Sequence, residues 1–325
     1  MATIKDVALH AGVTVTTVSR ALNNRGYISD KTRQKVYDSM RALDYQPNEL
    51  ARALYKKQSK VIGVIVPSLL HPYFSACVYY LEKYAALRGY KIMVCNSKRE
   101  RKSEIEYIGM LKSNKVAGIV LCTRSCELAD ILDDALPVVT LERSISDKIP
   151  AIMCDNYQGG VLAAQCLLER GRTGIMVFPG RPLVQLPGEL RVTGFLDTCR
   201  RNGIDPIVVT TDEAQFTNRD YRDTIRDALQ AYPDVDGIFA TSDVMAAQVI
   251  QECTKIQRKI PQDVSLVGFD DVDIASLTCP QLTTIHQPLD QICAYSVEYI
   301  LRKLQGETVP VKTVLPVSRI DRDSV

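Results

Sequence analysis

The hydrophobic pattern of this 325-residue chain changes at Val61, and that change constrains the fold more than any other feature. Before Val61 only helical signals occur, whereas after it short apolar runs alternate with longer amphipathic stretches. Continuous β-rich runs separated by helices are typical of parallel sheets covered by helices. The runs are VIGVIV, KIMVCN, GIVLCT, PVVTLE, AIMCD, GIMVF, PIVVT, GIFAT, SLVGF and TVLPV. They are many for one sheet, so the pattern predicts a helical head followed by a large α/β core.

Capping residues predict three helices in the head. Thr3 can cap a helix over IKDVALHA, and Thr14 can cap a second helix. Gly12 separates them because it lacks a Cβ and accepts turn conformations. Ser29 can cap a third helix, which ends before Pro47. A short segment, NELARALYKK, follows.

The predicted second helix has an apolar and a polar face, as in a helix–turn–helix. Val18, Ala21 and Leu22 share helical spacing and would pack inward. The opposite face carries Val15, Thr16, Ser19 and Arg20. An arginine in a major groove can donate two hydrogen bonds to guanine, and apolar methyl groups can contact thymine. The pattern alone equally allows a small helical bundle with a polar outer face.

Charge is distributed unevenly along the chain. Residues 1–60 contain eleven Lys and Arg against five Asp and Glu, although the whole chain carries a net charge of only +2. A basic head on a mildly acidic body is expected of a nucleic-acid-binding module. A solvated charged surface would give the same count, so charge alone does not decide.

The sequence offers few residues for metal or catalytic chemistry. Its 10 cysteines are scattered singly without a CxxC pair, and it has only 3 histidines, so we expect reduced buried thiols, no metal and no cofactor. The motifs GxGxxG, GxxxxGK[ST], GxSxG and HExxH are missing, so we expect no enzyme. The apolar runs are too short to span a bilayer, and MATIKDVALH lacks a signal-peptide pattern, which predicts a cytoplasmic protein.

Segments along essentially the whole chain resemble the lactose-repressor (LacI) family of bacterial transcription regulators. The segments are MATIKDVALHAGVTVTTVSRALN, KTRQKV, DYQPNELARAL, NKVAGIV, CDNYQGG, RVTGF, TSDVMAAQVI, IPQDVSLVGFDD and LTTIHQP. YISDKTRQKV, NSKRERKSEIEYIGML and CDNYQGG look most similar to the sucrose-operon repressors of that family.

The resemblance implies a domain order. It predicts a helix–turn–helix head over residues 1–46, a hinge helix and linker over 47–60, and an effector-binding and dimerisation core over 61–325. That core would be similar to the type I periplasmic binding proteins, with two parallel-sheet lobes. The N-lobe would comprise about 61–156 plus 288–317, and the C-lobe about 157–287 plus 318–325.

The resemblance also assigns residues to DNA. Val15, Thr16 and Arg20 would read bases, while Thr17 and Ser19 would contact phosphates. The hinge segment is too short to be a stable helix in isolation and would form on DNA. Leu54 would then wedge into the minor groove at the operator centre. The hinge contacts expected are Asn48, Ala51 and Leu54. The alternative is a linker helix whose Leu54 docks on the core.

The effector is expected beyond the carboxyl ends of the core strands, where ligands of open parallel sheets bind. The resemblance implies that Arg191 and Asp270 anchor polar groups of the effector. Ser242 stands where sugar-binding members commonly have asparagine. The full set expected is Ser68, Tyr73, Phe74, Glu142, Arg191, Ser242, Asp243, Asp270 and Gln287. Alternatively, Tyr73 and Phe74 are core residues, and Arg143, Asp155 and Asp271 are helix caps or ion pairs.

Together these features predict a homodimeric repressor of a carbohydrate-utilisation operon. It would bind double-stranded palindromic operator DNA and release it when a sucrose- or fructose-type sugar binds. The dimer face is expected on the helix after Pro72, at Cys77, Tyr80, Leu81 and Tyr84. The alternatives are a regulator of the same fold controlled by a partner protein or a purine corepressor, and a sugar-binding or sugar-processing protein.

Overall fold

The computed structural model describes most of the chain as two compact units, Met1–Ser59 and Lys60–Val325. The described residues are 2–23, 26–45, 59–98, 100–123, 128, 131–132, 136–179 and 187–325. The expected hinge contacts Asn48, Ala51 and Leu54 lie outside these ranges. The division between head and hinge near residue 46 therefore stays a prediction.

The first unit contains the three helices that the capping residues predict. They are α1 (Ile4–Ala11), α2 (Val15–Asn23) and α3 (Asp30–Ala42). Thr3 and Asp6 form a reciprocal capping box at the start of α1. Gly12 ends that helix with φ of 66°, a left-handed conformation that favours glycine. Small buried side chains from all three helices, among them Val7 and Val36, form the core.

The first lobe of the second unit is a six-stranded parallel sheet in the order β11-β5-β4-β3-β1-β2. Its strands are β1 (Val61–Val66), β2 (Lys91–Asn96), β3 (Gly118–Leu121), β4 (Val138–Leu141), β5 (Ala151–Cys154) and β11 (Lys312–Leu315). Its helices are α4 (Pro72–Leu87), α5 (Arg101–Ser113) and α12 (Leu289–Leu304).

The second lobe is a six-stranded sheet in the order β12-β10-β9-β8-β6-β7. Its strands are β6 (Ile175–Phe178), β7 (Ile207–Val208), β8 (Gly237–Ala240), β9 (Ser265–Asp270), β10 (Thr283–His286) and β12 (Ser318–Ile320). Its helices are α6 (Asn156–Glu169), α7 (Leu190–Arg201), α8 (Glu213–Asn218), α9 (Arg222–Ala231), α10 (Asp243–Lys255) and α11 (Ile274–Leu277).

Each predicted apolar run contains a strand, so the expectation of an α/β core with two sheets is confirmed. Two strands were missed, and one of them, β12, pairs with β10 antiparallel rather than parallel. The other, β10, reads TTIH and is polar in sequence. Thr283 and Thr284 are nevertheless fully buried. The Thr284 hydroxyl donates to Asp243 Oδ1 at 2.6 Å, which compensates for its burial.

The chain crosses between the lobes after β5, after β10 and after β11. After β5 it enters α6, which packs on the strands of the second lobe. After β10 it enters α12, which packs on the first lobe. Asn156 and Gln287 therefore lie on segments that join the lobes.

The predicted dimer face on α4 is wrong in its central residues. Cys77 and Leu81 are fully buried, because α4 packs its apolar stripe against α12 of the same chain. Tyr80 and Tyr84 are partly buried against the same core. The exposed aromatic side chain of this helix is Tyr79, at 65%.

Helices α6 and α7 make an unusually close crossing at two glycines. A Cβ on Gly160 would lie 1.8 Å from the carbonyl oxygen of Arg191. A Cβ on Gly194 would lie 2.1 Å from the carbonyl oxygen of Tyr157. Both obstacles are backbone atoms, so neither can be relieved by a side-chain rotation. The crossing therefore fixes the first turn of α7 against α6.

Replacing Gly160 with alanine should lower the free energy of unfolding of the second unit by about 1–3 kcal/mol or more, because α7 must move away. Chemical denaturation measures this. Gly109 on α5 is a matched control, since a Cβ there has no heavy atom within 4 Å. Gly109→Ala should be neutral or stabilising, because alanine favours helix. Equal stability of the two variants would contradict the close crossing.

Candidate functional site

Helix α2 presents the predicted DNA-facing side chains to solvent. Val18 and Ala21 are fully buried, which orients the helix. Thr17 N donates to Thr14 Oγ1 at 3.1 Å, so Thr14 caps the helix as expected. On the outer side, Val15, Thr16 and Arg20 are exposed, while Thr17 and Ser19 are half-buried.

One contact that fixes α2 was not predicted from sequence. Arg33 on α3 donates from Nη1 to the carbonyl oxygen of Ala21 at 3.1 Å. A cation at a helix C-terminus is favoured by the helix dipole. Arg33 therefore stabilises the position of α2 within the head, apart from any contact with DNA.

A cavity of about 400 Å³ lies between the lobes of the second unit. This volume is within the range of small-molecule sites, about 300–1,000 Å³. Predicted effector residues that line it are Tyr73, Phe74, Glu142, Arg191, Ser242, Asp270 and Gln287. Polar lining residues that the prediction did not include are His71, Thr123, Glu189, Thr193, Thr210, Tyr221 and Thr241. Apolar side chains such as Leu141 and Met245 complete the wall.

The structure does not bring Ser68 or Asp243 into the cavity wall. Ser68 Oγ accepts a hydrogen bond from the backbone N–H of Leu70 at 3.2 Å, within the loop after β1. Asp243 is fully buried, accepts from Thr284 and receives the N–H of Val272 at 2.9 Å. Burial raises the pKa of Asp243 well above its usual range. Its carboxyl joins β10 to the end of β9.

Arg191 is the cation at the centre of the cavity. Its Nε and Nη2 donate to Asn156 Oδ1 at 2.9 and 2.6 Å, and Nη1 donates to the carbonyl oxygen of Thr241 at 2.9 Å. Nη1 also lies 3.8 Å from Asp270 Oδ1. The guanidinium carbon stacks 3.6 Å from the centroid of the Phe269 ring. Every face of this side chain is thus held in place.

Asn156 connects Arg191 to Glu142, a link that the sequence did not reveal. Its Nδ2 donates to Glu142 Oε2 at 2.8 Å, while its Oδ1 accepts from Arg191. Glu142 Oε1 also accepts from the backbone N–H of Cys154 at 2.6 Å. Burial raises the pKa of Glu142 despite these hydrogen bonds. The neutral amide therefore holds together an acid from the first lobe and a base from the second.

Asp270 and Gln287 form the second polar pair of the cavity. Gln287 Nε2 donates to Asp270 Oδ1 at 2.7 Å, and both side chains are buried. Gln287 Oε1 is buried without a hydrogen-bond partner among the described residues. Burial raises the pKa of Asp270 to about 7, although Arg191 and Gln287 act in the opposite direction. This pair can therefore accept hydrogen bonds from a ligand.

Tyr73 and Phe74 form an aromatic corner at the start of α4. Their rings meet edge to face, with centroids 5.2 Å apart and an interplanar angle of 89°. Tyr73 is 7% exposed, and its hydroxyl has no hydrogen-bond partner within the described part of the chain. Tyr73 thus belongs both to the core and to the cavity wall, which combines the two interpretations of the sequence.

One contact joins the lobes directly at the cavity rim. Arg219, which follows α8, donates from Nη1 to the carbonyl oxygen of Leu70 in the first lobe. Other acidic residues at strand ends have hydrogen-bond or ion-pair partners within their own lobe. Asp155 caps α6 by accepting from Gln158 N at 3.0 Å. Asp271 pairs with His286 at 2.9 Å and with Arg322 at 2.7 Å.

The raised pKa of Asp270 predicts a pH dependence of stability. Its usual pKa is 3.8, so between about pH 4 and 7 the folded carboxyl holds a proton that the unfolded chain has released. The free energy of unfolding contributed by this group therefore falls as pH rises through that window and is level above it. Denaturation at several pH values should show that the free energy of unfolding declines less steeply with pH in Asp270→Asn than in the wild type. An unchanged slope would contradict the raised pKa, and Asp205→Asn, at an exposed surface pair, is the control.

A three-helix unit with an exposed α2 face, followed by a two-lobed core with a polar cavity, defines the class of ligand-responsive DNA-binding regulators. Comparison with known proteins agrees. Residues 3–48 match the family model for bacterial regulatory proteins of the lacI family, and residues 164–325 match a periplasmic binding protein-like domain.

Two relatives match over nearly their whole length. The ribose operon repressor of Bacillus subtilis (strain 168) is 34% identical over 99% of this chain and 98% of the relative. The sucrose operon repressor of Streptococcus mutans is 33% identical over 100% of both chains. The chain therefore belongs to the LacI family of bacterial transcription regulators. No helix within the described ranges is both long and apolar enough to cross a membrane.

Solved structures give the same fold. The lac repressor dimer bound to operator and the anti-inducer ONPF matches with a TM-score of 0.88 at 28% identity, over 99% of this chain and 98% of that one. A periplasmic binding protein/LacI regulator from Alkaliphilus metalliredigens QYMF, complexed with D-xylulofuranose, matches with a TM-score of 0.73 at 32% identity. That match covers 82% of this chain and 99% of that one.

Proposed function

We propose that this chain is a homodimeric repressor of a carbohydrate-utilisation operon whose operator affinity changes when a small sugar binds between the lobes. The observation that carries this proposal is the cavity itself, because Arg191, Asp270 and Gln287 line it together with the aromatic corner of Tyr73 and Phe74. Charged and amide groups suit sugar hydroxyls, and an aromatic ring suits the apolar C–H face of a sugar. Relatives named as ribose and sucrose operon repressors support the assignment.

In the head, α2 would enter the major groove of a palindromic operator. Val15, Thr16 and Arg20 would read base edges, while Thr17 and Ser19 would contact phosphates. Their exposure on one side of α2 supports these roles. Asn48, Ala51 and Leu54 would contact the minor groove from the hinge, and a two-fold operator would require a two-fold protein.

In the core, the sugar would act as an inducer. Arg191, Asp270, Gln287 and Ser242 would bind hydroxyl groups, and Glu142 would hold the anchor in place through Asn156. Binding would change the relation between the lobes and so separate the hinge segments of the dimer. A ligand produces such a switch only if it binds one state more tightly than the other, by a few kcal/mol. Ser68 and Asp243 are left out of this set because neither lines the cavity.

We infer further that the chain has no catalytic activity and acts in the cytoplasm. The relatives that match over its whole length are named as repressors. Operator binding requires the compartment that contains the chromosome. Hydrogen bonds to the amides of Asn156 and Gln287 hold Glu142, Arg191 and Asp270 in place, an arrangement suited to recognition.

Fluorescence anisotropy on DNA from the chain's own promoter region tests the proposal. We expect binding at nanomolar protein without ligand, and release when ribose, fructose or sucrose is added. Hypoxanthine and guanine form a second arm, because the adjacent rings of Tyr73 and Phe74 also suit a flat purine. Tighter operator binding in the purine arm, with no sugar response, would overturn the sugar assignment. Sedimentation of the same sample should show dimers.

A further inference from the structure

We infer that the effector is an uncharged, hydroxyl-rich sugar and that the cleft excludes the phosphate ester of the same sugar. The inference rests on the proposed function and narrows its ligand class. The proposed function alone leaves sugars and sugar phosphates equally open. The hydrogen-bonding groups that line the cavity favour a neutral sugar over its phosphate.

Several hydrogen-bond donors of the cavity already serve acceptors within the protein. The three donor nitrogens of Arg191 bond to Asn156 and to the carbonyl oxygen of Thr241. The hydroxyl of Thr241 donates to the carbonyl oxygen of Phe178 at 3.0 Å. Gln287 Nε2 donates to Asp270. A phosphate group, which mainly accepts hydrogen bonds at neutral pH, would have to share these nitrogen and hydroxyl donors with the protein's own acceptors.

Three buried polar atoms of the described cavity wall, by contrast, are open to a ligand. Gln287 Oε1 and Glu189 Oε1 are buried and have no hydrogen-bond partner among the described residues. The Tyr73 hydroxyl is in the same situation and can either donate or accept. A buried polar atom without a partner destabilises the protein until a ligand supplies one. Sugar hydroxyls donate as well as accept, so they can satisfy all three groups.

The charged groups of the cavity wall also favour a neutral ligand over a phosphate ester. Among the described residues that line the cavity, three carboxyl groups (Glu142, Glu189 and Asp270) surround one guanidinium, that of Arg191. His71 also lines the cavity, and its Nδ1 accepts from the backbone N–H of Tyr73 at 3.3 Å. A phosphate monoester carries about −1.5 to −2 charges at pH 7 and would be repelled by each of these carboxyl groups that is ionised.

Calorimetry on the full chain with matched pairs of ligands tests the inference. The pairs are ribose and ribose 5-phosphate, fructose and fructose 6-phosphate, and sucrose and sucrose 6-phosphate. We expect at least one neutral sugar to bind and its phosphate to bind at least roughly tenfold more weakly, about 1.4 kcal/mol. A phosphate that binds as tightly as its parent sugar overturns the inference and leaves the proposed function standing. Failure of all six overturns both, while operator binding, measured in parallel, tests the DNA-binding assignment separately.

Two conservative variants locate the effect in the cavity. Tyr73→Phe removes a hydroxyl that has no hydrogen-bond partner among the described residues, so it should weaken binding of the neutral sugar severalfold without lowering stability. Tyr299→Phe is its control, because the Tyr299 hydroxyl lies 2.8 Å from Thr313 Oγ1 outside the cavity. It should lower stability and leave sugar affinity unchanged. Unchanged sugar affinity in Tyr73→Phe would contradict the proposed contact.

The variant Glu189→Gln tests whether carboxylate charge contributes to the discrimination against sugar phosphates. Removing this carboxylate should reduce the difference in affinity between a sugar and its phosphate by roughly tenfold. This is about the size of the interaction between two charges near a protein surface. Glu106→Gln, on the exposed side of α5, should leave the difference in affinity unchanged. An equal difference in the wild type and Glu189→Gln would remove Glu189 from the selectivity mechanism and overturn the charge argument.

Discussion

Replacing Arg191 with alanine should abolish the effector response while leaving operator affinity in the absence of effector within about twofold. The variant deletes the hydrogen bonds that Asn156 Oδ1 and the Thr241 carbonyl oxygen accept from Arg191, and it leaves Asp270 without its nearest cation. Truncating one partner of a buried, hydrogen-bonded charge pair at a binding site costs about 2–5 kcal/mol of binding free energy. We therefore expect effector affinity to fall by more than about a hundredfold, as measured by calorimetry.

Two further variants separate binding from folding in this experiment. Arg200→Ala lies on the same helix, α7, where Arg200 makes an exposed pair with Asp205 at 2.9 Å, and it should behave as wild type. Arg191→Lys keeps the charge but cannot reproduce the paired donation to Asn156, so it should not restore binding. Normal effector affinity in the lysine variant would show that charge alone suffices.

Replacing Arg20 with alanine should relax operator specificity at one base pair, by about 1–3 kcal/mol or up to roughly a hundredfold. Arg20 is exposed on the same side of α2 as Val15 and Thr16, where a bidentate contact to guanine is geometrically open. The measurement is binding to a panel of single-base operator variants at one fixed salt concentration.

The matched control for Arg20 is Arg41→Ala on α3. Arg41 is also exposed, but it pairs with Asp38 at 2.6 Å on a different helix. It should change neither affinity nor base preference substantially. Uniform weakening of the Arg20 variant across all operators, with a smaller salt dependence, would instead identify Arg20 as a phosphate contact.

Local chemistry explains why the head and most strands could be predicted. Thr3 and Ser29 cap helices because their side-chain oxygens accept from backbone N–H groups that the first turn leaves free. Apolar β-rich runs such as that at Val61 become buried strands. Strand β10 was missed because the hydroxyls of its two threonines are paired by distant residues that no local pattern contains. Thr284 donates to Asp243, and Thr283 accepts from the backbone N–H of Arg322.

Prediction of the cavity residues from sequence failed for a different reason. Strand ends correctly placed Glu142 and Asp270 in the wall of the cavity. They could not distinguish Ser242 from its neighbour Asp243, because adjacent residues at the start of a helix point in different directions. Asn156 was missed for a similar reason, since its role depends on Arg191 from another helix. The same ambiguity explains the error on α4, where an apolar stripe fits a protein's own core and a subunit interface equally well.

Because the chain crosses between the lobes three times, we expect two kinds of ligand for the cavity. One kind would change the angle between the lobes, and the other would only occupy the site. Asn156 and Gln287 lie on the connecting segments, so a ligand that contacts only this axis meets nearly the same partners at any lobe angle. Such a ligand would occupy the cavity without shifting the equilibrium, however tightly it bound. Groups far from the axis, such as Phe74 or the rim contact of Arg219 with Leu70, change their separation most as the lobes move. A ligand's reach toward that rim, rather than its affinity, would therefore decide whether it opens the operon or blocks the response.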